Sequence, residues 1–127
     1  ALTERPLRAI YATKSWNAAA VITEVDGVPY LDKFAVTAEA QGQGLGATIW
    51  NRVRADYPAL FWRARPDNPV AGWYFRHADG MQRTDAWTVF WCGVADRDVI
   101  ARCIQHASSM PESFLASPVK EVAHAVA

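Results

Sequence analysis

Six residues, Gln41-Gly42-Gln43-Gly44-Leu45-Gly46, constrain this chain more than any others. They join a strand-like apolar run, Tyr30 to Val36, to a helix-like one, Leu45 to Tyr57. Glycines two apart at such a junction let the backbone turn sharply and approach a ligand with no Cβ in the way. The N–H groups left unpaired at the start of the following helix point outward. With the helix dipole they favour an anion, most naturally a phosphate or pyrophosphate. Two other phosphate loops do not fit. No Lys-Ser/Thr follows, as a P-loop requires, and Gly-x-Gly-x-Gly lacks the spacing and the later acidic residue of a dinucleotide fingerprint. The plain structural alternative is an ordinary Gly-rich turn.

The 127 residues suffice for one domain with a real core, spanning 1–127. Half of them are apolar and six are Trp, which excludes a disordered chain. Thirteen basic residues balance thirteen acidic ones without a long single-sign run, so neither nucleic acid nor a membrane surface is expected as partner. There is no apolar stretch of membrane-span length and no signal peptide. Cys92 and Cys103 are too few and too far apart for a zinc quartet or a CxxC pair, and read as buried thiols in a reducing compartment. The chain opens on Ala1 and reaches its first apolar segment early, so it reads as a piece of a longer protein.

Leu7, Ile10 and Tyr11 share one helical face, predicting a short amphipathic element within residues 1–17. Ala18 to Val25, Asp26-Gly27 and Val28 to Val36 predict a β-hairpin. Leu45, Ile49, Trp50, Val53 and Tyr57 form a helical stripe that Pro58 ends. Ala59 to Arg65 reads as a strand, and Asn68-Pro69 opens a short helix through His77. Asp79-Gly80 marks a loop, Ala86 to Cys92 a strand, and Asp96 to Met110 a helix; residues 112–127 carry little signal. An early hairpin followed by alternating helices and strands favours a mixed-sheet α/β or α+β domain over a doubly wound one. The strand–glycine loop–helix–strand segment is expected to be a right-handed βαβ unit, with its ligand at the carboxyl ends of the parallel strands. Lys33, the glycine loop and the Arg63/Arg65 pair all fall at that end.

Tyr30-Leu31-Asp32-Lys33-Phe34, Gln41-Gly42-Gln43-Gly44, Leu60-Phe61-Trp62-Arg63, Asn68-Pro69, Trp73-Tyr74-Phe75 and His77-x-Asp79-Gly80 run in that order. These motifs resemble the acetyltransferase domain of N-acetylglutamate synthases, of the vertebrate type and of bifunctional synthase/kinases, over roughly residues 9–114. The resemblance implies a GNAT fold, with a central, splayed mixed sheet flanked by helices. It implies acetyl-CoA as donor, L-glutamate as acceptor, and an amino-acid-kinase domain ahead of this one in the intact protein.

Acetyl transfer to an amine needs a held donor, an oriented neutral amine, oxyanion stabilisation and a proton for the departing thiolate. Gln41, Gly42, Gln43, Gly44, Leu45 and Gly46 suit the donor's pyrophosphate. The extended pantetheine arm can add like a strand beside Phe34, Ala35 and Val36, where a backbone N–H could also face the thioester oxygen. The resemblance carries Lys33 and Arg63 over as glutamate ligands, and cations of these types suit carboxylates. Strand alternation puts Arg65 on the same face as Arg63. The family pattern gives Asn68 a binding role, although Asn before Pro is also an ordinary turn and cap. Tyr74 is the candidate general acid: the resemblance sets it by the coenzyme sulfur, and a phenol stays protonated at neutral pH. The base that deprotonates the acceptor stays open among Tyr30, Asp32 and an ordered water. His77, one turn past Tyr74, suits a structural hydrogen bond better. His106 and His124 have no partner at ligand spacing, so no metal is expected.

Two other readings stand beside this one. Similar domains in some fungal kinase proteins are non-catalytic regulatory modules, and a GNAT enzyme can act on another amine. A homo-oligomer is compatible with the sequence. Alanine- and arginine-rich composition and the lack of a transit segment lean toward a bacterial cytoplasm, with the mitochondrial matrix as the eukaryotic counterpart.

Overall fold

Asp26 and Gly27 both take left-handed backbone conformations, φ 52° and 80°, and close a two-residue turn whose twist matches the strands it joins. Those strands are β2 (Ala18–Val25) and β3 (Val28–Thr37), the antiparallel hairpin expected from the sequence. The computed structural model describes residues 6–40, 42–110 and 122–124. It contains β1 (Leu7–Ala12), β4 (Leu60–Ala64), β5 (Gly80–Arg83) and β6 (Thr88–Cys92) in a sheet ordered β1-β2-β3-β4-β6-β5. A further strand, β7 (Val122–His124), lies off this path and pairs with β3. Three helices complete the fold: α1 (Leu45–Asp56), α2 (Ala71–His77) and α3 (Arg97–Ser109). Neighbours in the sheet order run antiparallel except β3 and β4, which are parallel and joined through α1. This is the mixed, helix-flanked α/β sheet of the GNAT class.

Each face of the sheet has its own core. Ile49, Trp50 and Val53 of α1 and Trp73 and Tyr74 of α2 pack on Leu31, Phe34, Val36, Leu60, Trp62 and Phe90. The rings meet edge-on, Trp50 against Trp62 and Trp73 with centroids 5.1 and 5.2 Å apart, a favoured aromatic geometry. On the other face Cys103 and Ala107 of α3 cover Tyr30, Phe61 and Val89. Cys92 lies in the first core and Cys103 in the second, both free and buried, so the sheet itself keeps the thiols apart. Among the described residues no helix is long and apolar enough to cross a membrane.

Three local expectations are corrected. Leu7, Ile10 and Tyr11 lie on a strand, β1, and not on a helix; a register shift between Leu7 and Ala9 breaks the two-residue alternation and mimics helical spacing. Gly80 begins β5, where a loop was expected. Helix α2 starts at Ala71, because Asn68 Oδ1 accepts the Val70 N–H at 2.9 Å and holds Asn68–Val70 in a turn. The third helix follows its signal: the Asp96 carboxylate caps it, accepting the Asp98 N–H at 2.8 Å.

Candidate active site

Strand β3 does not alternate evenly. Leu31 and Phe34, three residues apart, both enter the α1/α2 core. Val21 faces Lys33 and Ile22 faces Leu31, so Asp32 is the extra residue of a β-bulge. The Thr23 hydroxyl donates to Asp32 Oδ2 at 3.1 Å and anchors the bulge. Alternation then sends Lys33 to the face opposite Phe34, the α3 side. Strands β3 and β4 meet in register at one pair, Tyr30 and Phe61. Past Tyr30 the β3 edge that faces β4 is open to another strand, and there β7 pairs antiparallel with it, Ala35 with His124, Val36 with Ala123 and Thr37 with Val122. Two of the three residues expected to receive a coenzyme arm, Ala35 and Val36, thus carry a strand of the chain itself.

Lys33 is the electrostatic anomaly of this region. Its Nζ is buried and has no hydrogen-bond partner among the described residues. Burial lowers its pKa from the ordinary 10.5, and the Asp32 charge opposes that shift. An orphaned buried ammonium is costly, and a ligand carboxylate would relieve it.

Arg63 is more than a surface charge. Its Nη1 donates to the carbonyls of Ala107 at 2.7 Å and Met110 at 2.6 Å, at the carboxyl end of α3, where the dipole favours a cation. Arg63 and Arg65 share a face, as alternation required, and both guanidinium carbons lie over the indole of Trp87, at 3.7 and 4.0 Å. The sequence places Trp87 in the expected strand Ala86 to Cys92, but it stands in the Thr84–Trp87 turn just before β6, and nothing local marks it as a partner of the arginines. Asn68 is engaged locally, as the turn described above.

Tyr74 is buried in the α1/α2 core, its ring against Trp62 at 5.6 Å and Phe90 at 5.5 Å. Burial raises its pKa far above the usual phenol range, with the Tyr30 phenol adding to it, so it holds its proton at neutral pH. Tyr30 itself is buried on the opposite face, its ring 4.8 Å from that of Phe61. Lys33, Arg63 and Tyr30 therefore lie to the α3 side and Tyr74 to the other, and the β3/β4 opening is where the two sides meet. His77 Nδ1 donates to the Trp73 carbonyl at 2.8 Å and its ring stacks on Trp73, a structural role.

Gln41 lies outside the described residues. Gly42 and Gly44 have φ of 89° and 78°, and a Cβ at either would meet no protein atom within 4 Å, so within the chain these glycines serve the positive φ. Gly44 is the N-cap of α1, with no side-chain capping bond and no acidic residue in the first turn. Among the described residues no side chain caps the first-turn amides, from Leu45 and Gly46 onward. Gly42, Gln43 and Gly44 are exposed, Leu45 is half-buried and Gly46 is buried. Among the described residues no three His, Cys, Asp or Glu side chains group closely enough to hold a metal ion.

Residues 1–110 match the family described as NAT, the N-acetyltransferase of N-acetylglutamate synthase. The chain is 43% identical over 111 residues to the mitochondrial N-acetylglutamate synthase of Mus musculus, covering 85% of this chain and 21% of that protein. It is 41% identical over 114 residues to the protein of the same name from Danio rerio, covering 87% and 22%. It is 38% identical over 110 residues to the acetylglutamate kinase of Xylella fastidiosa (strain Temecula1), covering 87% and 26%. The chain thus spans about a fifth to a quarter of the length of these relatives. With that match over residues 1–110, the chain belongs to the NAT family, the N-acetyltransferase domain of N-acetylglutamate synthase.

Proposed function

We propose that this chain moves the acetyl group of acetyl-CoA to the α-amino group of L-glutamate, by direct transfer in a complex holding both, to give N-acetyl-L-glutamate and CoA. The observation that carries the reading is the buried Lys33 ammonium, without a hydrogen-bond partner among the described residues, beside the β3/β4 opening in a chain of this family. Acetyl-CoA supplies an activated acyl group as a thioester. The uncapped first turn of α1, led by Gly44, fits its diphosphate, and the β3 edge at Phe34–Val36 fits its extended amide arm. Lys33 takes one acceptor carboxylate, and Arg63 and Arg65, stacked on Trp87, offer a planar grip for the other. Tyr30 and Asn68 border the acceptor. As the amine nitrogen bonds to the acetyl carbon and the C–S bond breaks, Tyr74 gives its proton to the sulfur, and the proton that the acylated nitrogen then sheds passes through solvent to restore the Tyr74 phenol. The acceptor ammonium loses its own proton beforehand to solvent or a nearby base.

The intact protein, on this reading, also carries an amino-acid-kinase domain; relatives named acetylglutamate kinase, of which this chain spans 26%, support it. The compartment is the bacterial cytoplasm, or the mitochondrial matrix in a eukaryote; relatives of both origins exist.

A thiol-release assay with acetyl-CoA and a panel of amino acids tests the reading. Release that depends on L-glutamate and exceeds that with other amines supports it. Preference for a different amine reassigns the acceptor. Coenzyme binding without release for any amine favours a regulatory module.

A further inference from the structure

We propose that the chain carries its own competitor for the coenzyme arm: β7 occupies the β3 edge that acetyl-CoA needs, so tail and coenzyme hold it one at a time. The inference deepens the reading above and rests on it. A strand has two edges, and β2 takes one edge of β3 along the whole hairpin. The other edge is used by β4 at Tyr30 and by β7 at Ala35, Val36 and Thr37. At about 3.3 Å per residue, β7 begins roughly 16 Å along β3 from the β4 junction. It therefore lies in the opening between the parallel strands, hydrogen-bonded as an added strand. An extended pantetheine arm would use the same backbone groups, and each edge group serves one partner strand.

Two further observations separate β7 from the scaffold. The family match ends at residue 110, so β7 belongs to sequence outside the shared domain. Among the described residues the buried core cluster members run from Ala18 to Ala107, drawn from β2 to α3. A strand of three residues makes few ladder bonds, so a ligand at sufficient concentration displaces it. When a fraction of molecules is closed, the apparent Kd rises in inverse proportion to the open fraction.

Calorimetric titration of CoA into three forms tests this: the full chain, a chain ending at Glu112, and full-length Ala123→Pro. The proline removes an N–H and disfavours the strand while keeping the tail. Both altered chains should bind CoA about threefold to tenfold more tightly than the full chain. A peptide of residues 116–127 added to the shortened chain should weaken CoA binding again. Thermal unfolding of all three forms should coincide within a few degrees, and if the shortened chain does not fold, Ala123→Pro alone decides. Equal CoA affinity in the folded forms overturns the competition and leaves the coenzyme site standing. No CoA binding by any folded form overturns the coenzyme reading and the competition with it.

Discussion

Arg63 on β4 donates to the carbonyl of Ala107 in α3 at 2.7 Å, a bond that spans 44 residues of sequence and ties the sheet to a helix end. The same guanidinium lies over Trp87 beside that of Arg65. Its position is thus fixed from two directions, as the proposed grip on an acceptor carboxylate requires. Arg63→Ala should raise the KM for glutamate about tenfold or more and also cost on the order of 1–3 kcal/mol of stability, since two helix-end carbonyls lose their donor. Trp87→Ala should raise that KM about threefold to tenfold with kcat held, and Trp87→Phe should recover part of the loss. Steady-state kinetics with denaturant unfolding separates these effects; an unchanged KM in both alanine variants contradicts the acceptor role.

Tyr74→Phe deletes one hydroxyl from a buried ring and leaves its contacts with Trp62 and Phe90. On the proposed chemistry kcat falls about tenfold or more while both KM values hold. Turnover at the wild-type rate would remove Tyr74 from the acid role.

Lys33→Met keeps the bulk and removes an ammonium that has no hydrogen-bond partner among the described residues. The KM for glutamate should rise at least about tenfold, while the free protein becomes no less stable. The sign of the pH effect follows from linkage. The folded pKa is depressed, so just below 10.5 the unfolded chain binds more protons and this group's contribution improves as pH rises. Denaturant unfolding of both forms should show the stability advantage of Lys33→Met shrinking as pH approaches 10.5. A clear loss of stability at neutral pH contradicts the assignment.

Burial raises the Cys92 and Cys103 thiols from 9.0 to about 11. Unfolded thiols ionise first, so their contribution is whole below pH 9 and is lost as pH climbs toward 11. Cys103→Ala should therefore lose less stability than wild type between pH 8 and pH 10.5, measured by denaturant midpoints at about those two values. Parallel losses in the two proteins contradict the shift at Cys103.

Where a local pattern decides an element, the sequence shows it. Asp26-Gly27 marks the hairpin, Asp96 the start of α3, and the Ile49–Trp50–Val53 stripe the face of α1. The glycine loop is legible because two of its residues between β3 and α1, Gly42 and Gly44, take the positive φ that glycine favours. Misreadings arise where geometry departs from periodicity. A register shift near Arg8 disguises β1 as a helix, and exposed β5 is held to β6 by its backbone ladder, with no apolar alternation to announce it. The bulge at Asp32 was encoded, because Leu31 and Phe34 reach one core three residues apart, but that spacing also fits a helical turn. The Arg63–Ala107 bond and the Trp87 stack join distant segments, which no local window contains. The β7 pairing is of the same kind, a long-range contact made by a segment with little signal of its own.

The place of the coenzyme is the centre of this account, and backbone amide NMR shifts on adding CoA test it most directly. Saturable perturbations are expected at Gly44, Leu45 and Gly46 and along Phe34, Ala35 and Val36. Perturbations confined to other parts of the sheet, or none at saturating CoA, would contradict it.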